Sequence, residues 1–149
     1  MPDRTAERRA VDLLRLCRAD GVGPVAYRRL LARHGSAAAA LDALPRLAEA
    51  AGRPPPAIPG EADAEREIAA AAKLGAIHLF LGDPVYPPLL AMLDDAPPCL
   101  MVRSDKALLS APAVALVGGR NASANGLGMA ETLAAELAGR VVVVSGLAR

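Results

Sequence analysis

The chain has 149 residues, an apolar fraction of 53% and a formal net charge of +1. That length fits one ordinary domain or two small ones with a packed core, which excludes a disordered chain, and the near-neutral balance excludes a uniformly basic coat for nucleic acid. The charge is nevertheless uneven: residues 1–53 carry ten Arg against six acids and the remainder seven Lys or Arg against ten acids, so a basic N-terminal surface is balanced by an acidic middle and partners of either sign fit.

The N-terminus is charged (Asp3, Arg4, Glu7, Arg8, Arg9) and is followed by no apolar run long enough for a signal peptide or a membrane span, so the expected location is the cytoplasm, with no membrane partner. Cys17 and Cys99 are too few for a disulfide scaffold and too far apart in sequence for a metal motif. They read as small apolar core residues of a protein in a reducing compartment. With Tyr27, Phe80 and Tyr86 as the three aromatic residues, binding of a single-stranded nucleic acid by this chain must rest on backbone contacts more than on base stacking.

Val11, Leu13, Leu14, Leu16 and Cys17 recur at near-helical spacing and predict a first helix over residues 6–19. Gly21, Gly23 and Pro24 end it and start a second, from Pro24 to about Arg33. Helix, Gly-x-Gly turn and basic helix is the pattern of helix-hairpin-helix modules, whose hairpin amides face a DNA phosphate. The same residues also suit a plain interhelical turn. Gly35 and Ser36 then stop the second helix and cap a third that runs to about Leu44, with a further short helix over residues 45–51.

Pro54, Pro55 and Pro56 open a stiff connection that reaches Gly60. A Glu- and Ala-rich helix follows over residues 61–74, ended by Gly75, and Ile77, Leu79, Phe80 and Leu81 predict a short strand. The segment from Asp83 to Pro88 lacks three backbone donors to proline and must be an ordered extended loop, with Tyr86 covering the sheet. One or two helical turns over residues 89–93 and a strand over residues 99–102 complete this stretch.

From Ala113 the pattern changes. Residues 114–117 and 141–144 are continuous apolar runs, joined by a glycine loop and a helical pattern over residues 126–138. Such runs predict strands covered on both faces, and strand-helix-strand at this spacing predicts a parallel βαβ unit. The expected fold class is therefore α/β: a small all-helical N-terminal domain over residues 1–74, with its proline-rich connection at 54–60, followed over residues 75–149 by the incomplete start of an extended Rossmann-like parallel sheet. Two parallel strands leave an open edge, so the chain is expected to be a portion of a longer protein.

The loop after the first of these strands lies where open parallel sheets bind ligands, beyond the carboxyl ends of the strands. Gly118 and Gly119 let an anion approach the main chain, Arg120 offers a forked guanidinium, and Asn121 and Ser123 can cap the helix or donate to phosphate, with Gly126 in the helix start. The loop is neither a dinucleotide fingerprint nor a Walker loop. Ser145, Gly146 and Arg149 follow the second strand and extend the same anion site, so that Arg120 and Arg149 can track neighbouring phosphates. His34 and His78 have no partner that suggests a catalytic pair, and no carboxylate pair or metal set stands out.

These residues carry a resemblance. Asp83 to Leu90, Pro97 to Leu100, Val117 to Ser123 with Gly126, and Val144 to Arg149, in order and spacing, resemble the DNA-processing protein A (DprA, or Smf) family over residues 75–149, and the helical N-terminus is compatible with that family's sterile-alpha-motif-like or helix-hairpin-helix-like domain. The resemblance implies an extended Rossmann fold that binds and protects single-stranded DNA and helps load the RecA recombinase in natural transformation. It also implies a homodimer in the full-length protein and no enzymatic turnover, cofactor or metal. The family's glycine-serine-arginine loop maps onto Gly118, Gly119 and Arg120, and its serine-glycine-x-alanine motif onto Ser145, Gly146 and Ala148. Gly119 departs from the usual Ser or Thr, removing a hydroxyl donor, and Asn125 departs from a common aromatic. Two other readings compete: a nucleotide-processing enzyme of the phosphoribohydrolase kind, which needs a catalytic Glu beside a glycine loop, and a protein-docking module built on the N-terminal helices.

Overall fold

Leucine and arginine interleave along residues 4–18, and that spacing gives α1 (Arg4–Arg18), which buries Leu13, Leu14 and Leu16 and leaves its arginines on the outside. The computed structural model describes residues 4–103 and 105–146. The chain divides into two compact units, Met1–Ser104 and Asp105–Arg149.

In the first unit α2 (Pro24–His34) begins with proline in its first turn and ends at Gly35, whose φ of 77° is left-handed and whose N–H donates to the Leu31 carbonyl at 2.8 Å. Ser36 then caps α3 (Ala37–Ala50) by accepting the Ala39 N–H at 3.2 Å. The break expected at Pro45 does not occur: α3 is one helix with Pro45 inside it. Proline forfeits one helical hydrogen bond, but Pro45 is exposed and Ala40, Leu41 and Leu44 hold the preceding turns in the core.

The core gathers Leu14, Leu16 and Tyr27, all fully buried, with Leu41, Leu44 and Phe80. Full burial of a side chain such as Leu14 contributes roughly 1.5–3 kcal/mol. The connection after α3 is tied down twice, by the Asp20 N–H on the Ala57 carbonyl (3.0 Å) and by Arg15 Nε on the Pro59 carbonyl (2.9 Å). Helix α4 (Glu61–Lys73) follows; Asp63 accepts the Gly60 N–H at 3.1 Å and closes its start.

Strands β1 (Ile77–Phe80) and β2 (Cys99–Val102) pair antiparallel, Ile77 opposite Val102 and Phe80 opposite Cys99. Between them the Pro-rich segment is a series of turns rather than an extended loop: Asp83 accepts the Phe80 N–H at 2.7 Å and its carbonyl takes the Tyr86 N–H at 3.0 Å. Tyr86 is buried and donates its hydroxyl to the Pro97 carbonyl at 2.7 Å, and the short α5 (Pro88–Ala91) ends on Arg28, which donates to the carbonyls of Ala91 and Leu93. Phe80 in the helical core makes this small sheet part of the first unit.

Arg8, Arg9, Arg15 and Arg18 of α1 are engaged within this unit. Arg8 and Arg15 flank the buried Asp12 and both reach Glu61, Arg9 meets Asp83 at 3.4 Å, and Arg18 holds both oxygens of Glu67 at 2.7 and 3.3 Å. The acidic middle of the sequence thus neutralises the basic α1.

The second unit opens with a 3₁₀ turn over Lys106–Leu109, capped by Asp105, and continues as β3 (Ala113–Leu116), α6 (Ala124–Leu137) and β4 (Val142–Ser145). β3 and β4 pair in parallel, Ala113 beside Val142 and Leu116 beside Ser145. This is the expected βαβ arrangement. The expected burial on both faces is not seen: Val114 is 39% and Val144 48% exposed, and α6 has no buried residue. Two strands and one helix hold too little mass to enclose the apolar runs.

Candidate nucleic-acid interface

The parallel register places the start of the β3–α6 loop beside Gly146, the described residue that follows β4. Leu116 and Ser145 are the last residues of their strands and stand opposite each other. The chain beyond them, Val117 and Gly118 on one side and Gly146 on the other, leaves from the same end of the pair. Strand β3 ends one residue earlier than expected, so Val117 belongs to the loop, where it is 92% exposed.

Gly118 and Gly119 do not have positive φ, and a Cβ at either would meet nothing within 4 Å. Neither the backbone conformation nor packing within the described residues therefore requires glycine here. Arg120 and Asn121 are exposed, and neither has a hydrogen bond or ion pair among the described residues. Ser123 is engaged: its Oγ accepts the Gly126 N–H at 3.2 Å as the N-cap of α6, with extended φ and ψ of −66° and 161°. Of its two expected roles the structure shows the cap. Gly126 lies close against Ser123 Oγ, where an added Cβ would sit at 3.5 Å. Asn125 lies in the exposed first turn of α6.

Ser145 and Gly146 are at the exposed end of β4, whereas Arg149 and Ala148 lie outside the described residues. The structure thus brings Gly118, Gly119, Arg120, Asn121, Ser123, Gly126, Ser145 and Gly146 to one end of one βαβ unit. A helix start, an unpaired guanidinium and open main chain together form a surface that suits an anion.

Elsewhere two side-chain clusters escaped the sequence reading. The side chain of His78 is only 4% exposed and its Nε2 lies 3.4 Å from Glu67 Oε1, the carboxylate already held by Arg18. Arg18 keeps Glu67 below the ordinary carboxylate range. Cys17 and Cys99, read separately as apolar fillers, interact across α1 and β2: contact with Cys99, then burial, pushes the Cys17 thiol up, while Cys17 holds the Cys99 thiol below its ordinary value. Neither cluster was visible in the sequence, because the partners stand far apart along the chain. No group of three or more metal-ligating side chains occurs among the described residues, and no helix of the described residues is long and apolar enough to cross a membrane.

A helical domain and a parallel βαβ unit with a glycine-arginine loop at its carboxyl end define a Rossmann-like α/β protein. Residues 7–70 match the family model described as the DprA-like N-terminal HHH domain, and residues 77–149 match that of the DNA recombination-mediator protein A. The chain belongs to the DNA-processing protein A (DprA) family, whose members act in DNA processing and recombination. No curated protein matches it. The two family models meet between residues 70 and 77, whereas the compact units divide after Ser104, because the β1–β2 sheet packs with the helices.

Proposed function

We propose that the chain binds the sugar-phosphate backbone of single-stranded DNA through the β3–α6 loop and the end of β4. In this reading it is a recombination mediator that shields the strand and helps load RecA onto it, in natural transformation or another recombination process. It works by binding, without turnover, as a dimer of the full-length protein in the cytoplasm.

The observation that carries the reading is the Leu116–Ser145 register, which gathers the glycines, Arg120 and the α6 start at one edge. Gly118 and Gly119 admit a phosphate oxygen to the main chain, Arg120 supplies the charge, and the α6 dipole adds a positive partial charge. Few aromatic side chains are at hand for stacking, so phosphate contacts dominate and binding is salt-dependent.

Fluorescence anisotropy of labelled single-stranded and duplex oligonucleotides, over a salt series, tests this with the wild-type chain and Arg120→Ala. Preferential single-strand binding, with lower affinity and a log-log salt slope shallower by about 0.7 in the variant, is expected. Equal binding of variant and wild type at every salt concentration refutes the phosphate role of Arg120.

A further inference from the structure

A groove of about 910 Å³ runs along the first unit between α2, α3 and the proline connection. Its floor is apolar: Val25 and Leu30 from α2, Leu44 and Leu47 from α3. One wall is Pro54 to Ala57, stiffened by its prolines and held in place by the Asp20 N–H on the Ala57 carbonyl. Such a wall presents a formed groove, so little ordering cost falls on the groove when a ligand enters.

The rim carries Arg29, Arg33 and Arg53, all exposed. Unlike Arg8, Arg9, Arg15 and Arg18 of α1, none of the three has a side-chain hydrogen bond or ion pair among the described residues. Asp20 is the one acidic residue in the lining. Arg29 and Arg33 are four residues apart on α2 and so stand one turn apart on one face. Cationic rim and apolar floor together fit a ligand that offers carboxylates and apolar side chains at once. A DNA backbone would match the rim but leave the leucine floor without polar partners for its sugars and phosphates.

We propose that this groove docks an acidic, amphipathic peptide segment of a partner protein. The apolar side chains of the segment seat on Leu30, Leu44 and Leu47, and its Asp or Glu side chains pair with Arg29, Arg33 and Arg53. The site lies on the first unit and uses none of the residues of the β3–α6 loop.

The test is anisotropy of fluorescein-labelled peptides of about twelve residues that interleave Leu or Phe with Asp, beside the same peptides with Lys in place of Asp. The wild-type chain, Arg29→Glu/Arg33→Glu and Leu47→Gln are compared, each checked for a native circular dichroism spectrum and melting curve. Saturable binding of the acidic peptides, loss of at least about tenfold in affinity in both variants, and no binding of the Lys peptides are expected. An unlabelled single-stranded oligonucleotide should not displace the peptide, and Arg120→Ala should bind it normally. Absence of binding across the acidic panel, or variants that bind like wild type, overturns the proposal. Displacement by the oligonucleotide, with DNA affinity lost in Arg29→Glu/Arg33→Glu, reassigns the groove to nucleic acid.

Discussion

Leu116 and Ser145 face each other on the last rung of the β3–β4 pair, so Val117 and Gly146 leave the strands side by side. Because a Cβ at Gly118 or Gly119 would meet nothing within 4 Å and neither residue has positive φ, Gly118→Ala and Gly119→Ala should leave stability within about 0.5 kcal/mol of wild type. The same methyl groups should obstruct a phosphate oxygen approaching the main chain and weaken single-stranded DNA binding. Melting curves and anisotropy on the same samples separate the two effects; unchanged affinity in both variants rules out a main-chain contact there.

Ser123 acts on the other side of that loop by capping α6. Ser123→Ala should destabilise by about 1 kcal/mol, and Ser123→Asp by less, since a carboxylate also accepts from the helix start. Chemical denaturation measures both; a Ser123→Ala variant as stable as wild type would mean that the cap oxygen contributes nothing.

The Arg18–Glu67 pair makes acid stability testable. Glu67 is held below its ordinary value of 4.5 by its hydrogen bond with Arg18. A depressed carboxyl contributes stability that is fully present above the unfolded value and is lost as pH falls through the folded one. Wild type should therefore exceed Glu67→Gln above pH 4.5, and the margin should shrink as the pH falls below it. Both side chains are more than a third exposed, 49% and 38%, so the margin stays below about 1 kcal/mol. A margin independent of pH between neutrality and acid would contradict this account.

Tyr86→Phe removes one hydroxyl from a buried ring and leaves the Pro97 carbonyl without that donor. A loss of about 0.5–1.5 kcal/mol is expected, whereas DNA affinity should not change, because Tyr86 serves the turns between β1 and β2. Loss of DNA binding in a variant that melts normally would instead make Tyr86 a ligand contact.

Much of this architecture was legible locally. Gly35 and Gly75 end helices with left-handed φ of 77° and 69°, and the two apolar runs with a helix between them marked a crossover between parallel strands, although not the exposure of its faces. The misreadings came where a local rule met tertiary packing. Pro45 breaks a helix in isolation, but its neighbours are anchored in the core. The pairing of β1 with β2 was not legible, since an 18-residue connection separates Phe80 from Cys99 in the sense of residues 81–98, and no short turn motif marks it. The candidate loop from Gly118 to Gly126 could be picked out in the sequence because it is one contiguous segment. The groove was not: its arginines come from α2 and from the segment after α3, and only folding shows which arginines find acidic partners.

That sorting of arginines gives the first unit a directional electric field which the whole chain's net charge of +1 conceals. The α1 side is close to neutral, and uncompensated positive charge collects on α2 and the proline wall. An approaching polyanion or acidic chain is turned toward that side before contact, over a range set by the Debye length of about 8 Å at physiological salt. Rate of encounter and orientation of arrival are thereby governed by residues that contribute almost nothing to holding the helices together.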